Sequence, residues 1–241
     1  MKKRIENEIE HGKKLLSEGA ESVWNWDSPA GKMRANRRAQ YFIDLANLES
    51  GDKVLEIGCG TGLFTRKFYA ATKAEITAID ISDELLAEAR KFLPEASFKK
   101  DDAMNMSFQS ETFNVVFGSS ILHHLEFDAS LNEIYRVLKP GGRMIFAEPN
   151  MINPQIFIQK NIPLIKKWLG DSPDETAIVR WTFSKLMKSK GFKQVEIFPY
   201  DFLHPIVPES LIRTIEVIGK LIEQIPIARE IAGSVIIFAK K

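Results

Sequence analysis

Short apolar runs alternate with amphipathic segments along the middle of the chain. Strand-length runs lie at 54–57, 75–80, 96–100, 113–118 and 143–148. Between them, helical periodicity covers 63–70, a segment from the N-cap Ser82 to Leu93, and 129–138. Strands joined by helix-length crossovers pair in parallel, so the pattern predicts a doubly wound α/β sheet. Such sheets bind ligands at the carboxyl ends of their strands.

The rest of the chain is predicted to be mostly helical. We expect a helical extension over 1–49, two helices joined by the loop 24–31, in front of a main domain over 50–241. Helical insertions are expected near 152–190, with a helix capped by Thr182, and near 206–231. Two more strands are predicted at 193–198 and 234–239. The helix predicted over 208–231 carries one apolar stripe, formed by Leu211, Ile215, Ile218, Ile222 and Ile225.

Composition and charge narrow the class of protein. The 241 residues include 33 basic and 32 acidic side chains, and a net charge of +1 provides no long-range field that would gather nucleic acid. The single cysteine, Cys59, cannot form an intrachain disulfide, and the opening MKKRIENEIE lacks the apolar run of a secretory signal. No apolar stretch approaches the roughly 20 residues that cross a bilayer. We expect a cytoplasmic protein with no transmembrane segment and no nucleic-acid partner.

A glycine loop follows the first predicted strand. Gly58, Gly60 and Gly62 permit a tight turn and close approach of a ligand to the backbone. A dinucleotide-binding loop would have Gly or Ala where this chain has Leu63, and the Lys-Ser/Thr of a phosphate-binding loop is missing. The carboxylate of Glu56 is expected to repel a diphosphate and to favour a cationic ligand. These residues favour an adenosyl sulfonium over NAD, and so disfavour a nicotinamide-dependent oxidoreductase.

The sequence VLEIGCGTG over 54–62 resembles the first motif of the class I S-adenosylmethionine-dependent methyltransferases, of the small-molecule, type 11-like kind. The similarity continues in order through Asp80, Asp102-Ala103, 113–125 and 138–142. It implies a Rossmann-like seven-stranded sheet whose last strand is antiparallel. It also implies S-adenosylmethionine as cofactor and S-adenosylhomocysteine as product.

The resemblance assigns roles to residues at the strand ends. It implies that Asp80 accepts hydrogen bonds from both ribose hydroxyls, and that Asp102 and the amide of Ala103 contact adenine. Asp101 is the competing acid for adenine, and Ile81 is expected to pack on the adenine face. Cys59 is interpreted as a small spacer in the loop and not as a nucleophile. The full predicted cofactor set is Glu56, Gly58, Cys59, Gly60, Gly62, Asp80, Ile81, Asp102, Ala103, Gly118 and Ser119.

Histidines are the candidate bases for an acceptor that must lose a proton. His123 and His124 follow the fourth strand and His204 follows the sixth. Adjacent residues point in different directions, so at most one of His123 and His124 is expected to face the ligand. A purely structural role for these histidines stays open. No set of His, Asp and Glu has metal-ligand spacing, so no metal is expected.

Two aromatic residues and three arginines precede the domain. Trp24 and Trp26 are predicted to close over the ligand, or else to pack on the core. Arg37, with Arg34 and Arg38, is a candidate to bind an acidic group of the acceptor or to form a solvated helix face.

The sequence therefore predicts transfer of a methyl group to a small-molecule acceptor by in-line displacement. Orientation alone lowers the barrier of such a step by several kcal/mol. An apolar or lipid-like acceptor, and peripheral contact of 208–231 with a membrane, are left open. The alternatives are a methyltransferase acting on protein or nucleic acid and a non-catalytic relative that binds the cofactor. The acceptor and the oligomeric state leave no signature in the sequence.

Overall fold

The computed structural model describes residues 19–168 and 175–241, and seven strands of these residues form one sheet. Most of the first helix predicted ahead of the loop 24–31 lies in 1–18, outside the described residues. The sheet order is β3-β2-β1-β4-β5-β7-β6, and β7 runs antiparallel to both neighbours. The predicted fold class is confirmed. The strands are β1 Lys53–Ile57, β2 Glu75–Asp80, β3 Ser97–Lys100, β4 Phe113–Ser119, β5 Leu138–Pro149, β6 Lys193–Tyr200 and β7 Ser234–Lys240.

Helices cover both faces of the sheet. They are α1 Ala20–Val23, α2 Pro29–Ala46, α3 Leu63–Thr72, α4 Asp83–Phe92, α5 Phe127–Val137, α6 Pro154–Asn161, α7 Pro163–Trp168, α8 Arg180–Ser189 and α9 Glu209–Ile222. Short 3-10 helices lie at Leu122–His124 and Ala228–Ile231. Within the described residues, no helix is long and apolar enough to cross a membrane.

The register of the parallel strands determines which residues share an edge of the sheet. Ile57 pairs with Ile79, Glu56 with Phe117, and Ser119 with Ala147. The glycine loop after β1, Asp80 and the end of β4 therefore lie at one edge. Strand order reverses between β1 and β4, and this reversal opens a crevice at that edge.

Apolar packing on each face holds the edge in place. On one face, Phe42 of α2 and Phe68 of α3 pack on Phe117, whose ring stacks on that of Phe68 at 4.8 Å. On the other face, Leu131 and Ile134 of α5 are fully buried in the larger apolar cluster. Fully burying such side chains contributes about 1.5–3 kcal/mol each.

The predicted loop 24–31 is shorter in the structure, because α2 begins at Pro29. Ser28 caps that helix and accepts a hydrogen bond from the backbone N–H of Gly31 at 3.0 Å. A Cβ on Gly31 would lie 1.8 Å from the carbonyl oxygen of Asn25, so only glycine permits this close approach. Pro29, Ala30 and Gly31, the end of the predicted loop, therefore start a helix.

Two helix details in the insertions were predicted wrongly. The N-cap of α8 is Val179, and Thr182 lies in the first turn, where its hydroxyl donates to the Val179 carbonyl. The helix predicted over 208–231 ends as α9 at Ile222 and resumes only as a 3-10 turn.

The apolar stripe of α9 is also rotated from its prediction. Ile212 and Gly219 are the buried positions, and Gly219 faces Phe202. Leu211, Ile218 and Ile225 are about half exposed. The close approach of the backbone at Gly219 selects this face, and a count of large apolar side chains cannot detect it.

Candidate active site

A cavity of about 610 Å³ opens at the carboxyl edge of the sheet. Two groups of residues form much of its lining. The glycine wall comprises Gly58–Thr61, Ile79–Ser82, Asp101–Met104 and Ser119, and the histidine wall comprises His123–Leu125, Gln155, Ile156, Gln159, Lys160 and Glu175.

Backbone conformation explains the glycines of the loop. Gly58 has φ +66°, and a Cβ there would lie 2.4 Å from Cγ1 of Ile121. Gly60 has φ +51° and Gly62 has φ +78° at the N-cap of α3. Gly58, Cys59 and Gly60 line the cavity, whereas Gly62 and Gly118 do not. The loop thus exposes bare backbone to a ligand, as predicted.

Asp80 ends β2 on the cavity wall. One carboxylate oxygen accepts from the backbone N–H of Gly60 at 2.8 Å, and the other accepts from Ser82 at 3.0 Å. Burial raises the pKa of Asp80, and these backbone donors oppose that rise. The side chain is therefore held in one orientation by the loop it faces.

The two competing acids after β3 have different contacts. Asp101 accepts from both the backbone N–H and the hydroxyl of Ser107, at 3.0 and 2.7 Å. Asp102 accepts from the backbone N–H of Met104 at 2.8 Å. Both acids line the cavity with Ala103 and Ile81. Because Asp101 is bound twice by Ser107, Asp102 has more acceptor capacity for a ligand.

Glu56 lies beneath the glycine loop and does not line the cavity, so its expected contact with a cationic ligand is corrected. The residue is 1% exposed, and the hydroxyl of Thr65 donates to its carboxyl at 2.5 Å. Burial raises the pKa of Glu56 to about 8. Burial also raises the pKa of the Cys59 thiol. Both side chains are thus uncharged near neutral pH. Cys59 is therefore not a thiolate nucleophile, and Glu56 provides no negative charge for a cationic ligand.

The segment before α2 covers the glycine loop. Glu21 accepts from the hydroxyl of Thr61 at 3.1 Å and from Arg66 at 2.9 Å. The ring of Trp24 lies over Gly60, 3.0 Å from where a Cβ would be. Trp26 lies edge-on to Phe64, at 5.6 Å between ring centres. Both tryptophans line the cavity.

Two predicted side chains lie outside the cavity wall. Arg37 forms a forked ion pair with Glu223, and one of its contacts is 2.8 Å. His204 lies beside Gln155, with 3.1 Å between side-chain nitrogens, and accepts from the backbone N–H of Ile206. The structure therefore does not bring Arg37 or His204 to the ligand.

Arg38 is a site residue that the sequence did not single out from its neighbours. It is 3% exposed and lines the cavity. Its guanidinium donates to the hydroxyls of Ser119 and Ser120 at 2.9 Å each, and to those of Tyr200 and Ser234. Among the ion pairs of residues 19–168 and 175–241, none involves Arg38. Helical spacing placed three arginines on one helix, and only tertiary packing shows which one is buried.

Glu148 fixes the orientation of His123. This fully buried carboxylate at the end of β5 accepts from the backbone N–H groups of Ile121 and Leu122 at 2.9 Å each. Its other oxygen lies 2.7 Å from Nδ1 of His123. Burial raises the pKa of Glu148, but His123 and the backbone donors outweigh it and lower the pKa overall. Burial lowers the pKa of His123, so its imidazole is neutral and donates Nδ1–H to Glu148.

His123 and His124 both line the cavity, contrary to the expectation that at most one would. Their ring centres are 4.2 Å apart. The two residues lie in the 3-10 helix Leu122–His124, and both side chains line the cavity from there. The expectation that adjacent side chains would diverge, so that only one would face the ligand, was wrong here.

Glu175 reaches the histidines from the insertion. The backbone N–H of Thr176 donates to the carbonyl of His123 at 3.2 Å, which anchors the segment. One carboxylate oxygen of Glu175 lies 3.7 Å from Nδ1 of His124, and Lys160 donates to the other at 2.6 Å. Sequence reasoning missed Glu175 and Lys160, because neither lies in a motif.

Comparison with known proteins places these residues in context. A family model described as "Methyltransferase domain" matches residues 54–142. An uncharacterized methyltransferase-like protein of Schizosaccharomyces pombe is 28% identical over 172 residues, which cover 71% of this chain and 64% of that protein. The chain thus spans just under two thirds of that relative's length.

A demethylmenaquinone methyltransferase of Chlorobaculum parvum is 29% identical over 206 residues, covering 78% of this chain and 81% of that protein. Among solved structures, an S-adenosylmethionine-dependent methyltransferase from Archaeoglobus fulgidus superposes with a TM-score of 0.61 at 21% identity. That superposition covers 87% of this chain and 94% of the other, and it supports the fold.

Proposed function

Since the chain belongs to the class I S-adenosylmethionine-dependent methyltransferases, we propose that it transfers the methyl group of that cofactor to a small-molecule acceptor bound against the histidine wall. The observation that carries the proposal is the single cavity that both walls line. A cofactor on one wall and an acceptor on the other would meet inside it. The fold, the glycine loop and the family model agree on the cofactor.

The nucleoside is assigned to the glycine wall. Asp80 would accept the ribose hydroxyls, because its carboxylate is held at the strand end by two backbone donors. Asp102 and the amide of Ala103 would contact adenine, with Ile81 against its face. The bare backbone of Gly58 and Gly60 allows the close approach that a bulkier loop would block.

The amino-acid end of the cofactor is assigned to Arg38 and Ser119. A buried guanidinium that donates to four hydroxyls is suited to a carboxylate, which it would bind through a charge-assisted hydrogen bond. The carbonyl at the end of β4 would accept from the ammonium. This assignment replaces the expected interaction of the arginines with an acidic acceptor.

The acceptor is assigned to the histidine wall, where apolar and polar groups are mixed. Leu125 and Ile156 of this wall, with the neighbouring Ile121, give the cavity an apolar lining beside His124 and Lys160. The Chlorobaculum relative is named for demethylmenaquinone. We therefore propose an acceptor with an apolar body and a polar group that reaches the histidines. Trp24 would cover the bound molecules and exclude water.

In the transfer, a lone pair of the acceptor forms a bond to the methyl carbon while the carbon–sulfur bond breaks. The bonding pair passes to sulfur, and the sulfonium becomes the neutral thioether of S-adenosylhomocysteine. The enzyme's main contribution is to hold the three atoms in line. His123 and His124 stay candidate bases, and the cytoplasmic location stays a prediction.

Incubation of the full chain with methyl-labelled cofactor and a cell extract tests the function. We expect mass spectrometry to find label in a small molecule, and Asp80→Ala to slow its appearance at low cofactor concentration. Label in the protein or nucleic-acid fraction would instead support the macromolecular alternative. Binding of S-adenosylhomocysteine without label transfer to any fraction would identify a non-catalytic relative.

A further inference from the structure

We infer that His123, His124 and Glu175 form a site for a divalent transition-metal ion, with zinc as its best-suited occupant. The inference rests on the proposed function only in its last step, where the ion meets the acceptor. Each of the three residues offers one donor atom, and these atoms all lie within 4.8 Å of one another. Donors around a tetrahedral zinc ion lie about 3.5 Å apart, so side-chain adjustments on the order of 1 Å complete the site.

Glu148 supplies the outer contact that metal-binding histidines generally have. It lies 2.7 Å from Nδ1 of His123 and is itself held by two backbone N–H groups. With Nδ1 as donor, the lone pair of His123 is on Nε2, the other ring nitrogen. A carboxylate behind a histidine fixes its tautomer and raises its affinity for a metal.

Lys160 orients the carboxylate ligand. Its ammonium binds Oε2 of Glu175 at 2.6 Å, while Oε1 faces Nδ1 of His124 at 3.7 Å. One oxygen is therefore directed toward the imidazoles and the other is held by the lysine. The side chains of Lys160 and Glu175 are 7% and 5% exposed, so the arrangement is shielded from bulk water.

Two imidazoles and one carboxylate form a donor set that suits zinc and its neighbours in the first transition row. Three protein ligands leave a fourth position, and because all three line the cavity, that position faces it. The sequence did not predict this site, because adjacent histidines do not match a known metal-binding motif and Glu175 lies in a distant segment.

A metal ion at this site would favour one chemical class of acceptor. A metal ion with an open position binds an oxygen and lowers the pKa of a bound hydroxyl. We assign to it an acceptor whose polar group is a hydroxyl, phenol or enol oxygen. A histidine that holds the ion through Nε2 cannot also take a proton there, so metal binding would replace the histidine base.

Metal titration of the chelator-treated full chain tests the inference without reference to turnover. We expect calorimetry with zinc chloride to show that one ion binds per chain. Cobalt(II) bound at the site should give the visible absorption bands of a four- or five-coordinate ion. His124→Ala and Glu175→Gln should each weaken zinc binding by tenfold or more. Glu148→Gln should weaken it by roughly 10- to 100-fold through its effect on His123.

His204→Ala is the matched control, because it removes an imidazole outside the wall and should leave zinc affinity unchanged. Each variant is also titrated with S-adenosylhomocysteine, and unchanged affinity shows that the fold is intact. No stoichiometric zinc binding, or equal binding by Glu175→Gln, would overturn the metal site and leave the proposed function standing. Zinc binding without any binding of S-adenosylhomocysteine would overturn the proposed function and leave the site.

Discussion

The glycine wall and the histidine wall meet in one cavity but are built in different ways. The glycine wall comes from consecutive strand ends, where Gly58, Gly60 and Asp80 are held by backbone hydrogen bonds. The histidine wall brings together the end of β4, Lys160 of α6 and Glu175 of the insertion, and side-chain pairs hold it. The first wall follows from the sheet topology, whereas the second depends on which insertion the domain carries. This division suits an enzyme family in which one wall binds a shared cofactor and the other binds an acceptor that differs between members.

The largest expected effect is on the pH dependence of the free energy of unfolding, and it comes from Glu56 beneath the glycine wall. Its pKa in the fold is about 8, against an ordinary value of 4.5. Between these values the unfolded chain has lost a proton that the folded chain retains. The free energy of unfolding should therefore fall as pH rises from 4.5 to 8, by up to about 1.4 kcal/mol per pH unit.

Denaturant unfolding at several pH values measures this. Glu56→Gln keeps a neutral acceptor for Thr65 and should flatten the pH dependence, while the exposed Glu49→Gln should not. A mutant curve parallel to that of the wild type would show that Glu56 is charged in the fold.

Asp80→Ala should weaken binding of S-adenosylhomocysteine by tenfold or more. The substitution removes a charged acceptor, and hydrogen bonds to charged groups contribute about 1.5–3 kcal/mol. Calorimetry gives the affinity. Asp44→Ala, which changes an exposed acid on α2, is the control and should bind as tightly as the wild type. Unchanged affinity in a folded Asp80→Ala variant would remove the ribose from this wall.

Arg38→Lys should weaken S-adenosylhomocysteine binding by about tenfold, since lysine keeps the charge but loses the planar fork. The same variant should bind 5′-methylthioadenosine, which lacks the amino-acid end, as well as the wild type does. Equal losses for both ligands would mean that Arg38 only supports the fold.

The smallest expected effect on cofactor affinity comes from Trp24, whose ring covers the glycine wall. Trp24→Ala removes the ring over Gly60 and should raise the dissociation constant of S-adenosylhomocysteine by roughly three- to tenfold, or about 0.6–1.4 kcal/mol. Trp181→Ala is the control, since that ring is 47% exposed on α8. If both variants bind alike, Trp24 does not close over the cofactor.

The sequence was sufficient for the sheet and for much of the glycine wall, because strand, turn and helix signals recur there in order. The same local reasoning placed Glu56 in the cavity, since strand alternation does not tell whether a carboxyl meets a ligand or the hydroxyl of Thr65. It also separated His123 from His124, because a 3-10 turn has no clear signal in the sequence. The position of Glu175 depends on the bridge between Ile178 of the insertion and Asn150, directly after β5. Contacts between distant segments determine which residues form the histidine wall. Local sequence patterns do not contain this information.

The central claim is that the glycine wall binds an adenosyl sulfonium cofactor and not a dinucleotide. Calorimetric titration of the wild-type chain with S-adenosylhomocysteine and, separately, with NAD tests it directly. We predict one molecule of S-adenosylhomocysteine per chain and no heat of binding from NAD. Saturable binding of NAD with none of S-adenosylhomocysteine would contradict the claim.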